Sequence, residues 1–507
     1  MEPDDPAGPP PSLKRTTIRG AQVAMAGYAL SRGMMFGVYI VLARLASPRD
    51  FGHFAAASVI TGVGAVLVEG GMMSALIRRA DRIEEAASTA FFSLLVSGCV
   101  LTAGALAVAP LVGDFFRSSQ VAALSAALSG VLLVQAITIV PDTLLQKRFS
   151  FKRRVAVDPL GSAAFCATSI VACANGAGAW GLVLGTYASM LVELVASWLF
   201  AGFTPRRRHA SISMWRELSS FARPVFGSNV LAKGSTQVDV VLLGRLYPAA
   251  VLGQYKNGFR VAQQPADAFV NTGSYVLLPA LVRLANHPLR FAGATRELLD
   301  VVSVVMLPAS LALLPLGEPI AVLLLGPQWR LAGHVIAALC GMLIARAMIS
   351  IASEVFKAAG RPRLLVRMQI VSQCTMVAFV GATVVPFGPV GVGVAVSASL
   401  LVTAAYALRH AVALTGLPWS DMRRMTRGPA LATSLMLLAM LGFSTAARPL
   451  ALHLLVAWGL IAAEAVIGAV VYVTVLLSID RSRREDTQAL LAMLRTRGFL
   501  VRAQTPG

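Results

Sequence analysis

The residues of this sequence best placed to do chemistry are charged side chains inside apolar runs. Arg32 lies in the middle of one such run and Lys233 in the middle of another. A charge at bilayer depth costs about 2.5–3.5 kcal/mol on insertion scales, so these groups persist where they face a water-filled cavity, an ion or each other. On a helix, Tyr28, Arg32, Met35 and Tyr39 share a face, as do Asn229, Lys233 and Gln237. Two cations on polar or aromatic stripes suit the wall of an aqueous cavity that holds an anion. A packed bundle offers the other role, in which Arg32 or Lys233 pairs with Asp239 or Glu69.

Arg32 and Lys233 are 201 residues apart, and that interval recurs. VLARLASPRDFGHF (41–54) resembles LLGRLYPAAVLGQY (242–255), matching Leu42 with Leu243, Arg44 with Arg245, Leu45 with Leu246, Gly52 with Gly253 and Phe54 with Tyr255. A weaker pair, GAWGLVLG (178–185) and GPVGVGVA (388–395), has an interval of 210. Arg44 and Arg245 end their spans, where each either snorkels to lipid phosphates or touches an anion at the cavity mouth. Lys256 and Arg260 would extend that basic wall. Asp239 aligns with Val38 and breaks the symmetry; it balances Lys233 or Arg245, or carries a coupling proton. Glu69, Glu193 and Glu464 are further acids within spans. Ion coupling and interhelical hydrogen bonding as protonated groups are both open to them. Glu354 and Lys357 read as a local pair at a helix end.

The elements that carry these residues are membrane helices. The 507 residues are 56% hydrophobic and 13% charged, with a mean hydropathy of +0.71. Soluble domains carry roughly 25% charged residues, so this composition belongs to a polytopic membrane protein. The net charge of +20 does not indicate nucleic acid, since no soluble domain clusters basic and aromatic residues. Apolar runs of about 20 residues number about fourteen, among them 51–76, 299–326, 366–386 and 389–414, which predicts an all-α integral membrane fold. Most of the 44 Lys and Arg fall in alternate connections, for example Arg78/Arg79/Arg82, Lys147–Arg154 and Arg206–Arg216. The intervening loops CANGAGAW and VPFGPVG have none. Because Lys and Arg favour cytoplasmic loops, both termini are expected in the cytoplasm. The repeat divides the chain into a tail (1–17, disordered), a six-helix lobe (18–204), a second six-helix lobe (218–415), a terminal helix pair (428–478) and a cytoplasmic tail (479–507). An even number of spans per lobe gives parallel repeats with a cavity between them. The five cysteines lie in apolar segments without CxxC spacing, and no metal-ligand cluster or cofactor motif is present.

The ordered set ARLASPRDFGHFA, STAFFSLLVSG, VPDTLLQKRFSFKRR, VDVVLLGRLYPAAVLGQYKNGFRVAQQPADAF and KAAGRPR resembles the oligosaccharide flippase and polysaccharide exporter (Wzx-type) family of the multidrug/oligosaccharidyl-lipid/polysaccharide superfamily. The resemblance covers roughly residues 15–420. It implies a multi-pass bacterial inner-membrane transporter that moves a polyprenyl-pyrophosphate-linked sugar unit to the periplasmic leaflet, by alternating access of two lobes, for capsule, exopolysaccharide or O-antigen. It also implies neutral or acidic residues in span seven, where this chain has Lys233. On that basis Arg32 and Lys233 would hold the pyrophosphate, with Arg44, Arg245, Lys256 and Arg260 as further substrate contacts and Asp239 or Glu69 as ion-coupling groups. Lipid-linked oligosaccharide and membrane lipids are the expected partners, together with polysaccharide polymerase or glycosyltransferase machinery.

Three other functions compete. A peptidoglycan-precursor flippase differs only in cargo. A drug or cation antiporter wants acids at the cavity centre, whereas the matched pair here is basic. A membrane glycosyltransferase or polymerase needs a catalytic region outside the bilayer, and the outside loops are short. No GxxxxGK[ST] loop is present, so the energy would come from an ion gradient, the substrate gradient or downstream consumption of product.

Overall fold

The computed structural model describes residues 31–479 apart from 80, 148–150, 236, 285–286 and 448–453; a few helix segments, including 151–156, 231–235 and 271–280, are described in backbone only. The described residues form helices and no strand. In chain order these are α1 (31–45), α2 (Pro48–Glu69), α3 (Met72–Arg78), α4 (Ile83–Phe115), α5 (Ser119–Lys147), α6 (Phe151–Ala174), α7 (Ala179–Ala201), α8 (Ile212–Ser235) and α9 (Val238–Leu246). They continue with α10 (Ala249–Leu284), α11 (Pro288–Leu325), α12 (Arg330–Ala338), α13 (Met342–Ala358), α14 (Pro362–Thr415), α15 (Trp419–Ala447) and α16 (Leu454–Ile479).

Among the described residues, nine helical stretches are long and apolar enough to cross a bilayer. The pair Pro327–Ala338 and Met342–Ala358, bent by 46°, makes a tenth. Val96, Val100 and Leu111 of α4 are each more than 60% exposed, the outward apolar surface that lipid accepts. Several buried hydroxyls are satisfied inside their own helices, as where Thr143 donates to the Ile139 carbonyl at 2.6 Å.

Glycine sets the breaks. Gly70 and Gly71 take φ of 54° and 76° and divide the predicted span 51–76 into α2 and α3. A side chain at Gly71 would also overlap the Ala222 carbonyl. α14 has 54 residues, about 80 Å at 1.5 Å per residue, far longer than a bilayer core is thick. Gly388 (φ 59°, ψ −147°) breaks its helical backbone between the predicted spans 366–386 and 389–414. Gly178, its counterpart in the weaker repeat, takes nearly the same conformation (φ 52°, ψ −126°) before α7. Only glycine adopts this region readily. α11 starts eleven residues before the expected span, with a polar first part carrying Arg290, Arg296 and Asp300.

The chain divides into two compact units. The first contains residues up to Asn257 with 324–329 and 376–392; the second contains 258–323, 330–375 and 393 onward. The core of the first packs Leu76, Phe91, Leu94, Leu144 and Leu218. The core of the second packs Met306, Ile351, Phe356 and Ala407. Within the second unit α15 and α16 form a smaller cluster with α11, fixed by the Tyr472 hydroxyl donating to the Val304 carbonyl at 2.6 Å.

Candidate functional site

The two matched corners of the sequence meet within the first unit. Ser47 caps α2: its hydroxyl accepts from the Asp50 amide at 3.3 Å, and the Asp50 carboxylate accepts from the Ser47 amide at 3.0 Å. Pro48 takes the first helical turn, where no amide proton is needed. The other Asp50 oxygen accepts from the Ala179 amide at 3.3 Å, satisfying an orphan donor at the start of α7. At the second corner the Tyr247 hydroxyl donates to the Val384 carbonyl at 2.9 Å, beside Gly388. Each corner therefore ties down the glycine break of one member of the weaker repeat pair.

The corners touch through their glycines. A Cβ on Gly52 would overlap the carbonyl oxygen of Ala249, and a Cβ on Gly253 would overlap that of Pro48. Pro48 and Ala249 are themselves 201 residues apart, so the contact is reciprocal in the manner of a two-fold interface. A second layer repeats the exchange. Trp329, fully buried, donates its indole N–H to the Ala43 carbonyl at 2.8 Å, and the Gln328 amide donates to the same oxygen at 2.9 Å. The Trp329 ring meets Phe51 edge-on at 5.4 Å. At the other corner, Phe116 and Leu252 both lie against Gly244; Gly244 is the counterpart of Ala43 and Leu252 that of Phe51. Thus the α11–α12 turn supplies an aromatic to the first corner and the α4–α5 turn to the second.

The predicted site residues distribute around this frame. Arg44 is exposed and its Nε donates to the Leu324 carbonyl at 3.2 Å. Arg245 is half-buried, with its guanidinium 5.6 Å from the Phe115 ring centroid. Asp239 is 2% exposed and accepts from the Tyr255 hydroxyl at 2.8 Å and the Val240 amide at 2.9 Å. Glu69 is half-buried at the last position of α2, before the Gly70–Gly71 break. Arg32 is exposed on α1. Its neighbour Ser31 meets the Ser162 hydroxyl of α6 at 2.6 Å. Lys233 falls on α8 and its side chain lies outside the described residues. Lys256 and Arg260 are half-buried on successive turns of α10, and Lys357 pairs with Glu354 at 2.9 Å.

One charged network escaped the sequence reading. Asp267 of α10 accepts from the Gln263 amide at 2.8 Å and pairs with Arg346 of α13 at 3.1 Å. The signal was the spacing of Lys256, Arg260, Gln263 and Asp267, which recur at intervals of four, three and four residues and so share one helix face. The pair joins α10 to α13, with the Arg346 and Asp267 side chains 32% and 29% exposed.

Comparison with known proteins gives this frame a family. A profile described as "Polysaccharide biosynthesis protein" matches residues 41–334, more than half of the chain. The chain is similar to the succinoglycan biosynthesis transport protein ExoT of Rhizobium meliloti (strain 1021), with 24% identity over 61% of this chain and 62% of that protein. That match spans less than two thirds of ExoT. The lipopolysaccharide biosynthesis protein WzxC of Escherichia coli (strain K12) is 22% identical over 65% of this chain and 67% of its own. In fold the chain is similar to the lipid II flippase MurJ in an inward closed conformation, with TM-score 0.73 and 14% identity over 90% of this chain and 99% of that one. It is also similar to an inward-facing multidrug resistance MATE family transporter of the MOP superfamily, with TM-score 0.58 and 18% identity over 78% and 96%. At these identities the structural likeness concerns the fold alone. The corner residues from Arg44 through Trp329 all fall inside the matched segment, and the chain belongs to the polysaccharide biosynthesis protein family.

Proposed function

We propose that the chain is a flippase that moves a polyprenyl-pyrophosphate-linked oligosaccharide across the bacterial inner membrane, to the periplasmic face, for capsule, exopolysaccharide or O-antigen assembly. The observation that carries this reading is the reciprocal contact of Gly52 with Ala249 and Gly253 with Pro48, in a member of a polysaccharide biosynthesis family. Backbone packed on backbone through glycine interlocks no side chains, so the two corners can part and rejoin without repacking a core. That suits alternating access between a lobe at 18–204 and a lobe at 218–415. Similarity to ExoT, a succinoglycan biosynthesis transport protein, and to WzxC, a lipopolysaccharide biosynthesis protein, favours saccharide cargo.

In this reading Arg32 and Lys233 hold the pyrophosphate, one from each lobe, and Lys256 and Arg260 extend the basic wall. Arg44 and Arg245 lie at the periplasmic end. With the corners closed they are engaged by the Leu324 carbonyl and the Phe115 ring; parting of the corners frees them to meet the phosphate on release. Both termini are cytoplasmic, and a polymerase or glycosyltransferase consumes the product.

The test is equilibrium binding to the purified full chain. Undecaprenyl diphosphate should bind better than undecaprenyl monophosphate, and a cationic dye should not compete. Arg32→Ala and Lys233→Ala should each weaken diphosphate binding by about 1.5–3 kcal/mol, the range for hydrogen bonds to charged groups. Equal affinity for both lipids, unchanged in the two variants, would overturn the reading. Translocation of lipid II in preference to other polyprenyl-diphosphate sugars would move the cargo to cell-wall precursor.

A further inference from the structure

The charges that fasten α8 to α3 lie apart from the substrate cations considered above. α3 ends at Arg78, in the connection whose basic residues are expected in the cytoplasm. Three cationic side chains gather there. Lys147, the last residue of α5, donates its ammonium to the Leu76 carbonyl at 3.0 Å and to the Arg79 carbonyl. It supplies the positive charge that the carbonyl end of a helix attracts. The Arg78 guanidinium lies 4.7 Å from the centroid of the Phe221 ring on α8. The Arg79 guanidinium forms an ion pair with Glu217, one turn earlier on α8.

The two members of that ion pair are not equally held. The Arg79 side chain is 17% exposed, and its Nε also donates to the Asp81 carbonyl at 3.0 Å. The Glu217 side chain is 59% exposed. Glu85 is another acid that feels the Arg79 charge, but it is occupied: the Arg82 Nε donates to it at 2.7 Å and the Ser211 hydroxyl at 3.0 Å. Asp81 and Glu84 are exposed. A well-held guanidinium, beside a second one and an ammonium, is thus paired with one loosely held carboxylate. An exposed ion pair contributes little, so Glu217 yields to a stronger anion. A diphosphate carries more charge than a carboxylate, and its oxygens match the fork of a guanidinium.

We propose that Arg78 and Arg79, with the Lys147 charge behind them, form a diphosphate-binding site at the end of α3, and that Glu217 is its built-in competitor. Glu217 occupies Arg79 until a diphosphate displaces it. The arriving anion then breaks the ion pair between α3 and α8 and leaves the Arg78–Phe221 contact as the remaining cationic tie between them. The site is distinct from the Arg32 and Lys233 pair and would meet a diphosphate first on the side where the basic loops lie. That this diphosphate is the headgroup of the cargo rests on the flippase reading; binding of the anion, and its competition with Glu217, do not.

Calorimetric titration of the purified full chain with inorganic pyrophosphate, at fixed ionic strength, tests the site with no lipid cargo present. The titration is run in the wild-type chain and in an Arg32→Ala/Lys233→Ala background, which removes the central pair. Glu217→Gln and Arg79→Gln delete the same ion pair, so a purely structural role makes them act alike. The proposal requires opposite effects. Glu217→Gln tightens pyrophosphate binding by up to about fivefold, the most that an exposed ion pair withholds. Arg79→Gln weakens it by about tenfold or more, as loss of a charge-assisted hydrogen bond does. Should Arg79→Gln not fold, Arg78→Gln carries the weakening arm. Changes in the same direction, or none, would overturn the proposal. Competition then separates the sources of the anion. Displacement of pyrophosphate by undecaprenyl diphosphate and not by phosphatidylglycerol supports the site as one for a diphosphate headgroup. Equal displacement by phosphatidylglycerol would make the cluster a membrane anchor and overturn it. A site with these opposite responses in a chain that moves no polyprenyl lipid would overturn the flippase reading and leave the site standing.

Discussion

Asp239 and Tyr255 show how a residue pair departs from its repeat. At an interval of 201 they stand where Val38 and Phe54 stand in the first copy, so an apolar pair has become a buried hydrogen-bonded pair of 2.8 Å. Each mismatch is visible in the sequence, but their joining into one interaction depends on the turn between α9 and α10. Sequence alone left Asp239 to balance Lys233 or Arg245 or to carry a coupling proton, whereas Tyr255 stood only as the match of Phe54, a neutral side chain with nothing to tie it to Asp239. Tyr255→Phe removes a donor from a carboxylate that is 2% exposed and should destabilise by about 1–3 kcal/mol; Asp239→Val should cost a similar amount. The double variant restores the first-copy pair and should recover much of the loss, because replacing both partners strands neither side chain and leaves only the Val240 amide without its acceptor. Denaturant or thermal unfolding in detergent reads the cycle. Additive losses would show that the two side chains do not act as a pair. A stable double variant that no longer transports would assign Asp239 the coupling role as well.

At the scale of elements, most helices were legible because apolar runs of bilayer length leave little choice. Of the breaks, the one at Gly388 was legible as the gap between the spans 366–386 and 389–414, and the one at Gly70–Gly71, inside the span 51–76, was not, because glycine within a membrane helix usually marks close packing. What distinguishes these positions is backbone conformation, which tertiary contacts impose: Asp50 beside Gly178 and Tyr247 beside Gly388. Gly388→Ala and Gly178→Ala should therefore each cost about 1–3 kcal/mol, the strain of a side chain at positive φ. Gly381→Ala on the same helix α14 should be neutral or stabilising, because it has open space around it and no positive φ. Equal melting of Gly388→Ala and Gly381→Ala would show that the break is not held by its backbone. The aromatic turns were equally hidden: GPQW and DFFRSS share no motif, and only their reciprocal seats on the two corners relate them.

For the whole molecule, composition established a polytopic membrane protein and the alternation of basic loops gave an orientation. Single cysteines at residues 174–178 or 386–389, in a chain lacking the five native ones, should react with a periplasm-restricted reagent, and cysteines at 205–209 should not. The reverse pattern would invert the topology and move Arg44 and Arg245 to the cytoplasmic face. The central claim is that two halves of one chain carry an anionic lipid-linked saccharide between them on a matched pair of cations. The most direct measurement is translocation of a fluorescent undecaprenyl-diphosphate saccharide in proteoliposomes. Wild type should move it faster than protein-free vesicles, and exchanging Arg32 for Lys or Lys233 for Arg should retain part of the rate, since a fork and a point charge both bind phosphate but not equally. Arg32→Ala/Lys233→Ala, incorporated at the same level, should fall by at least about tenfold, as the loss of 1.5 kcal/mol or more requires. Translocation by that double variant at the wild-type rate would contradict the account.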